Sequence, residues 1–173
     1  MIVLFYIFAL ASAVVIQTVI SGYFHTWLGA RPDALLLVTL YIGIKRGGES
    51  GLVTGFFLGL LKDILSGGLL GANALSKGLL GFLTGKVVRN IARGNWVFLA
   101  SIGFFATAID SFLWATLSVV FQPDLGIAND YWFSSMKTIV LNAALAPFII
   151  HLLSLAEARM ISSSFSVPYP DRP

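Results

Sequence analysis

Glycine returns every fourth residue through the middle of the chain, at Gly43, Gly47, Gly51, Gly55 and Gly59. Asp63 takes the next place, and Gly67 and Gly71 follow. In a soluble helix each such glycine costs about 1 kcal/mol relative to alanine. In a bilayer, small residues at this spacing let two helix backbones touch. The ladder therefore predicts a helix-packing seam with a carboxylate near one end. It cannot be one straight helix, because Lys45-Arg46-Gly47-Gly48-Glu49-Ser50 and Ser66-Gly67-Gly68 are breaks. Gly51, Gly55, Gly59 and Asp63 are expected to share one helix, with Gly71, Gly78 and Gly81 carrying the small-residue surface onward. A four-residue step drifts by about 40° at 3.6 residues per turn, so the seam winds around its helix.

Composition agrees with a membrane setting. Of 173 residues, 57% are hydrophobic and 11% charged, where a soluble domain carries about 25% charged residues. The expected fold class is an all-α integral membrane protein, a compact bundle of six transmembrane helices. The expected domain covers residues 1–161, with 162–173 a polar, proline-rich, disordered cytoplasmic tail. The absence of cysteine excludes disulfides and thiolate metal sites. The formal charge of +3 is spread over loops rather than gathered in a basic block, which argues against nucleic acid. Residues 1–20 contain no Lys or Arg, so a cleavable signal peptide is not expected.

Six apolar segments can be drawn, roughly 2–21, 33–45, 51–65, 72–90, 96–121 and 134–157. The first, fifth and sixth reach the ~20 residues that a spanning helix needs. The second and third are short; the third covers only about 22 Å. Short helices of this kind belong among other helices, or where protein and water replace lipid. Pro32 is expected in the first turn of the second segment, with Asp33 complementing the helix dipole. Pro147 should kink the sixth. With both termini cytoplasmic, Lys45, Arg46, Lys86, Arg89, Arg93, Arg159 and Arg172 fall inside. Arg31, Lys62, Lys77 and Lys137 fall outside, the distribution that the positive-inside rule favours. Trp27, Trp96 and Trp132 sit at expected helix ends and suit an interfacial belt.

Asp110 lies in the middle of an apolar segment, where a lone charge costs about 2.5–3.5 kcal/mol on the insertion scale. Asp63, Lys77, Asp110 and Lys137 are expected at similar depth, as an intramembrane polar cluster. A tight hairpin would bring Asp63 to Lys77. Such charges either neutralise one another and fix helix register, or line a polar pocket open to the outside.

Other chemistries fit poorly. Gly48-Glu49-Ser50-Gly51 matches the Gly-x-Ser-Gly of rhomboid proteases, and His151 lies on the sixth segment. However, Pro147 stands where the family's Gly-x-x-x-His places glycine, and the oxyanion residues are missing. No enzyme activity, cofactor or metal is expected. His25 and His151 fall on opposite sides of the membrane, Lys77 would compete with a cation between Asp63 and Asp110, and no phosphate-binding loop is present.

Residues 32–85 carry a resemblance. Pro32-Asp33 leads into an apolar helix and the basic Lys45-Arg46-Gly47. Gly55-Phe56-x-x-Gly59-Leu60-x-x-Asp63-x-x-Ser66-Gly67 and Leu70-Gly71-Ala72-Asn73-Ala74-Leu75 follow. This pattern resembles MreD, the bacterial rod shape-determining membrane protein. It covers about a third of the chain, with Pro32, Asp33, Asp63 and Asn73 as the motif residues. The resemblance implies a non-enzymatic scaffold of the cell-elongation complex in the bacterial inner membrane. The implied partners are a bitopic MreC-like protein and, indirectly, MreB filaments, the RodA glycosyltransferase and a penicillin-binding transpeptidase. A homodimer is a further implied possibility. It also implies a fold similar to the substrate-binding S-components of vitamin importers. That likeness, with Ala9-x-x-x-Ala13 on the first segment, leaves a solute-binding importer subunit as the alternative.

Overall fold

The computed structural model describes residues 12, 14, 15, 17, 18, 21–88, 95–121, 123 and 130–164; for Ser21, His25 and residues 160–164 it describes the backbone alone. The described residues are mostly helical, joined by short turns, and contain no strands. The helices are α1 (Ser21–Leu28), α2 (Ala34–Arg46), α3 (Gly48–Ser66), α4 (Ala72–Val87), α5 (Trp96–Phe121) and α6 (Tyr131–Ser164). Most of the expected first segment, including Ala9, Ala13 and the stretch before Ser12, lies outside the described residues. So do Arg89, Arg93, Asp124 and residues 165–173. Most of the expected tail therefore lies outside the described residues; α6 continues to Ser164.

The breaks fall where the glycines predict. Gly47 (φ 97°) separates α2 from α3, and Gly67 (φ 61°) ends α3. Both hold a left-handed conformation that glycine adopts without steric cost. Pro32 lies one place farther out than expected. Asp33 is the N-cap of α2, and its carboxylate accepts a hydrogen bond from Leu36 N at 3.0 Å. Helix α6 runs through Pro147 as a single element.

Helix α2 is the axis of the bundle, with every residue from Ala34 to Ile44 buried. At about 1.5 Å per residue its 13 residues span roughly 20 Å, so neighbours must enclose it. Helices α3 and α4 form the tightest pair; α2 packs on both, and α5 packs along α6. Two stretches, Trp96–Phe121 and Tyr131–Arg159, are long and apolar enough to cross a membrane.

Polarity is arranged inside out. Asp33, Asp63, Asn73, Lys77, Asp110 and Asn142 are buried. Phe57, Ile64, Leu79, Phe105, Phe112 and Val140 are exposed on the outer faces of α3 to α6. Exposed apolar surface on this scale is unlike that of a soluble monomer and suits contact with lipid.

Candidate functional site: a glycine seam and a buried charge network

The glycine ladder is used within the bundle. A Cβ added at Gly51 would stand 2.3 Å from the carbonyl oxygen of Gly81, and at Gly55 the same distance from that of Lys77. At Gly59 it would stand 2.2 Å from the Asn73 oxygen. Gly85 meets the backbone of Gly48 in the same way. Two rows of close contacts thus run antiparallel, 48, 51, 55, 59 on α3 (steps of three, four and four) against 85, 81, 77, 73 on α4 (steps of four). Gly43 of α2 closes on the same place, where an added Cβ would stand 2.6 Å from the Gly81 oxygen.

Two expected members of the seam differ. A Cβ added at Gly78 would make only an ordinary contact with α3, 3.4 Å from Leu52 O. A Cβ added at Gly71 would meet nothing within 4 Å; its φ of 97° makes it the turn residue before α4. A second close approach, absent from the expectation, joins α5 to α6, where a Cβ added at Gly103 would stand 2.5 Å from the Ala146 methyl.

Asp63 takes the next seam position after Gly59, where α4 begins. Its carboxylate therefore faces helix-terminal amides rather than another helix's flank. It accepts from Gly71 N (2.9 Å), Asn73 N (3.1 Å), Ala74 N (3.2 Å) and Asn73 Nδ2 (2.8 Å). The first turn of a helix offers unpaired N–H groups and a partial positive charge, both matched by a carboxylate. The expected Asp63–Lys77 pair is thus corrected: the α4 terminus already satisfies Asp63.

Lys77 is completely buried and turns toward α2 and α5. Its ammonium lies 2.9 Å from Asp33 Oδ2, 3.1 Å from Asp110 Oδ2 and 3.1 Å from Asn73 Oδ1. Lys62 reaches the same Asp33 oxygen at 2.6 Å. Ser76 Oγ donates to Asp110. Two ammonium groups therefore balance two carboxylates, and Asn73 links this set to the capped Asp63. Balance of this kind is required, because an unpaired ion in such a site would cost several kcal/mol. Lys137 stands apart from the network, a second correction. It is exposed, 4.4 Å above the Phe133 ring and beside Gly29.

Asn142 escaped the sequence reading, although it is fully buried. Its Oδ1 accepts from Asp33 N at 3.1 Å, and its Nδ2 donates to Thr107 Oγ1 at 3.1 Å. It thereby ties the start of α2 to α5 and α6. The signal available was a lone amide in the apolar run of α6. Lys62 was also missed as a partner of Asp33; the two lie far apart in sequence. At the opposite end of the bundle Tyr41 Oη donates to Glu157 at 2.7 Å, and Arg46 pairs with Glu157 at 3.0 Å. Ser50 is exposed in the first turn of α3, while the His151 ring lies 5.7 Å from Trp96.

Above the charge network, at the end of the bundle away from Lys45 and Arg46, is a cavity of about 810 Å³. Asp33, Lys62, Asn73 and Asp110 line its floor, and Trp114 and Tyr131 form one wall. Those two rings are stacked at 5.2 Å, and Tyr131 Oη donates to Ser111 O at 2.7 Å.

Residues 1–156 match the family described as rod shape-determining protein MreD. No solved structure matches this fold.

Proposed function

This chain belongs to the MreD family of membrane proteins, whose role is rod-shape determination, and on that premise we propose that it is a non-enzymatic scaffold of the cell-elongation machinery. It would bind a bitopic MreC-like protein in the inner membrane and so help to control peptidoglycan synthesis. MreB, RodA and a penicillin-binding transpeptidase would be reached indirectly. Its helices would cross the bilayer six times, counting the segment that precedes α1, with both termini cytoplasmic. Lys45, Arg46 and Lys86 at one end of the bundle favour that orientation.

The observation that carries this reading, beside the family match, is the self-neutralised interior. Asp33, Lys62, Lys77 and Asp110 serve one another, and the glycine seam is spent on α3–α4 packing. What remains for a partner is the outer apolar surface. An MreC-like chain would meet the bundle there through its single membrane helix, by side-chain packing rather than backbone contact. The cavity gives the importer reading its one point of support, since polar pockets of this size hold small solutes.

Affinity capture of the full chain from its native membrane in mild detergent, followed by mass spectrometry, tests the reading. Recovery of a bitopic coiled-coil protein with cell-wall synthases is expected. Recovery instead of an ATPase pair with a transmembrane coupling subunit would overturn the scaffold and establish the importer component.

A further inference from the structure

The end cavity has a floor and a rim of different character. The charges of the floor already balance and bond one another. On the rim, Arg31 and Asp130 both line the cavity, and among the described residues neither side chain is bonded to another residue. We propose that this cavity binds a compact zwitterion, with its phosphate or carboxylate on Arg31 and its ammonium on Asp130.

Charge selects the class of ligand. A net charge placed over a balanced floor would find no matching counter-charge there. A ligand with one charge of each sign meets one free cation and one free anion. A guanidinium offers planar paired donors that fit phosphate or carboxylate oxygens. The ammonium end has a second attraction, because Tyr131 follows Asp130 directly and stacks on Trp114, and aromatic faces attract cations.

The rim is held in place. Arg31 N donates to Thr138 Oγ1 at 3.0 Å, and Gly29 O accepts from Ser134 Oγ at 2.8 Å, which ties the Arg31 loop to α6. The Asp130 carbonyl accepts from Ser134 N at 2.9 Å. Both charged residues therefore sit on anchored backbone while their heads stay available. The volume of about 810 Å³ is far larger than a bare ion needs and suits a small organic molecule. The same chemistry is offered by the headgroup of phosphatidylethanolamine and by free glycerophosphoethanolamine, both phosphodiesters with one charge of each sign.

Calorimetric titration of the full chain with glycerophosphoethanolamine, in maltoside detergent, tests the proposal. Binding is expected, with inorganic phosphate alone or ethanolamine alone about tenfold to a hundredfold weaker, as is usual when one charge-assisted contact is lost. Arg31→Gln and Asp130→Asn should each weaken binding by the same order. Because both side chains are exposed, helix content should be unchanged by circular dichroism. Nanodiscs separate the two sources. If the lipid headgroup is the occupant, phosphatidylethanolamine discs block the titration and phosphatidylglycerol discs do not; equal binding in both identifies the free solute. Absence of binding in detergent and in phosphatidylglycerol discs overturns the proposal. So does equal binding of phosphate alone, or full affinity in both variants. Capture of an MreC-like partner is not a readout here, so failure of this inference and failure of the scaffold reading are separable.

Discussion

Gly59→Ala and Gly78→Ala make the same chemical change on the same helix pair and should move stability in opposite directions. A methyl at Gly59 would stand 2.2 Å from the Asn73 oxygen and 2.5 Å from Ala74 Cα. To restore ordinary contact at 3.4 Å, the start of α4 must retreat by roughly 1.2 Å. The obstacle is backbone, which has no rotamer to change, and the retreat also stretches the amide contacts to Asp63. Overpacking of side chains typically costs 1–3 kcal/mol, so a loss of about 3 kcal/mol is expected here. A methyl at Gly78 meets Leu52 O at 3.4 Å, an ordinary contact. That variant keeps the helix-propensity gain of up to about 1 kcal/mol. The separation of about 4 kcal/mol is roughly a thousandfold in the ratio of folded to unfolded protein. Unfolding of the purified chain by titration with dodecyl sulfate, followed by circular dichroism, would measure it. Gly59→Ala as stable as the wild type, or Gly78→Ala as damaging as Gly59→Ala, would refute the assignment of the seam to backbone contact.

Further outcomes follow from the charge network and the second close approach. Lys77→Met should destabilise by about 3–5 kcal/mol, because it strands buried carboxylates; adding Asp110→Asn should recover part of that loss in the same unfolding assay, whereas adding Asp63→Asn should recover none. Asp63→Ala should cost about 2 kcal/mol, the upper end for loss of a helix cap, and hydrogen exchange should rise at the α4 amides 71–74 before the rest of that helix. Gly103→Leu should lower the yield of folded protein in detergent while leaving intact the disulfide cross-linking of a cysteine pair introduced into α3 and α4, since its neighbour is Ala146 of α6. In cells that depend on this chain for their shape, Asp63→Asn should impair rod growth more than Asp124→Asn; equal effects by microscopy would argue against the buried network.

What the sequence makes legible here is local. The four-residue glycine period, its interruption at Gly47 and Gly67, and the position of Asp63 at the end of the series are contained in one short stretch. They sufficed to predict a hairpin of two closely packed helices and, through the motif from Pro32 to Asn73, the family. The buried charges could be named because a charge in an apolar run must have a reason.

The partners of those charges were decided only by tertiary structure. Asp63 and Lys77 are near in sequence, yet the N–H groups of α4 take Asp63, and Lys77 turns instead to Asp33 and Asp110 on two other helices. Lys137 shares their expected depth but is exposed, 4.4 Å above Phe133, because depth along a membrane does not fix rotation about a helix axis. Gly71 and Gly78 differ from Gly59 for a related reason. Spacing places a residue on a stripe, but how far the neighbouring backbone stands off depends on how α3 and α4 cross. The sequence determined which residues need contact and which need neutralising; the packing of α2, α4 and α5 around Lys77 determined which ones meet.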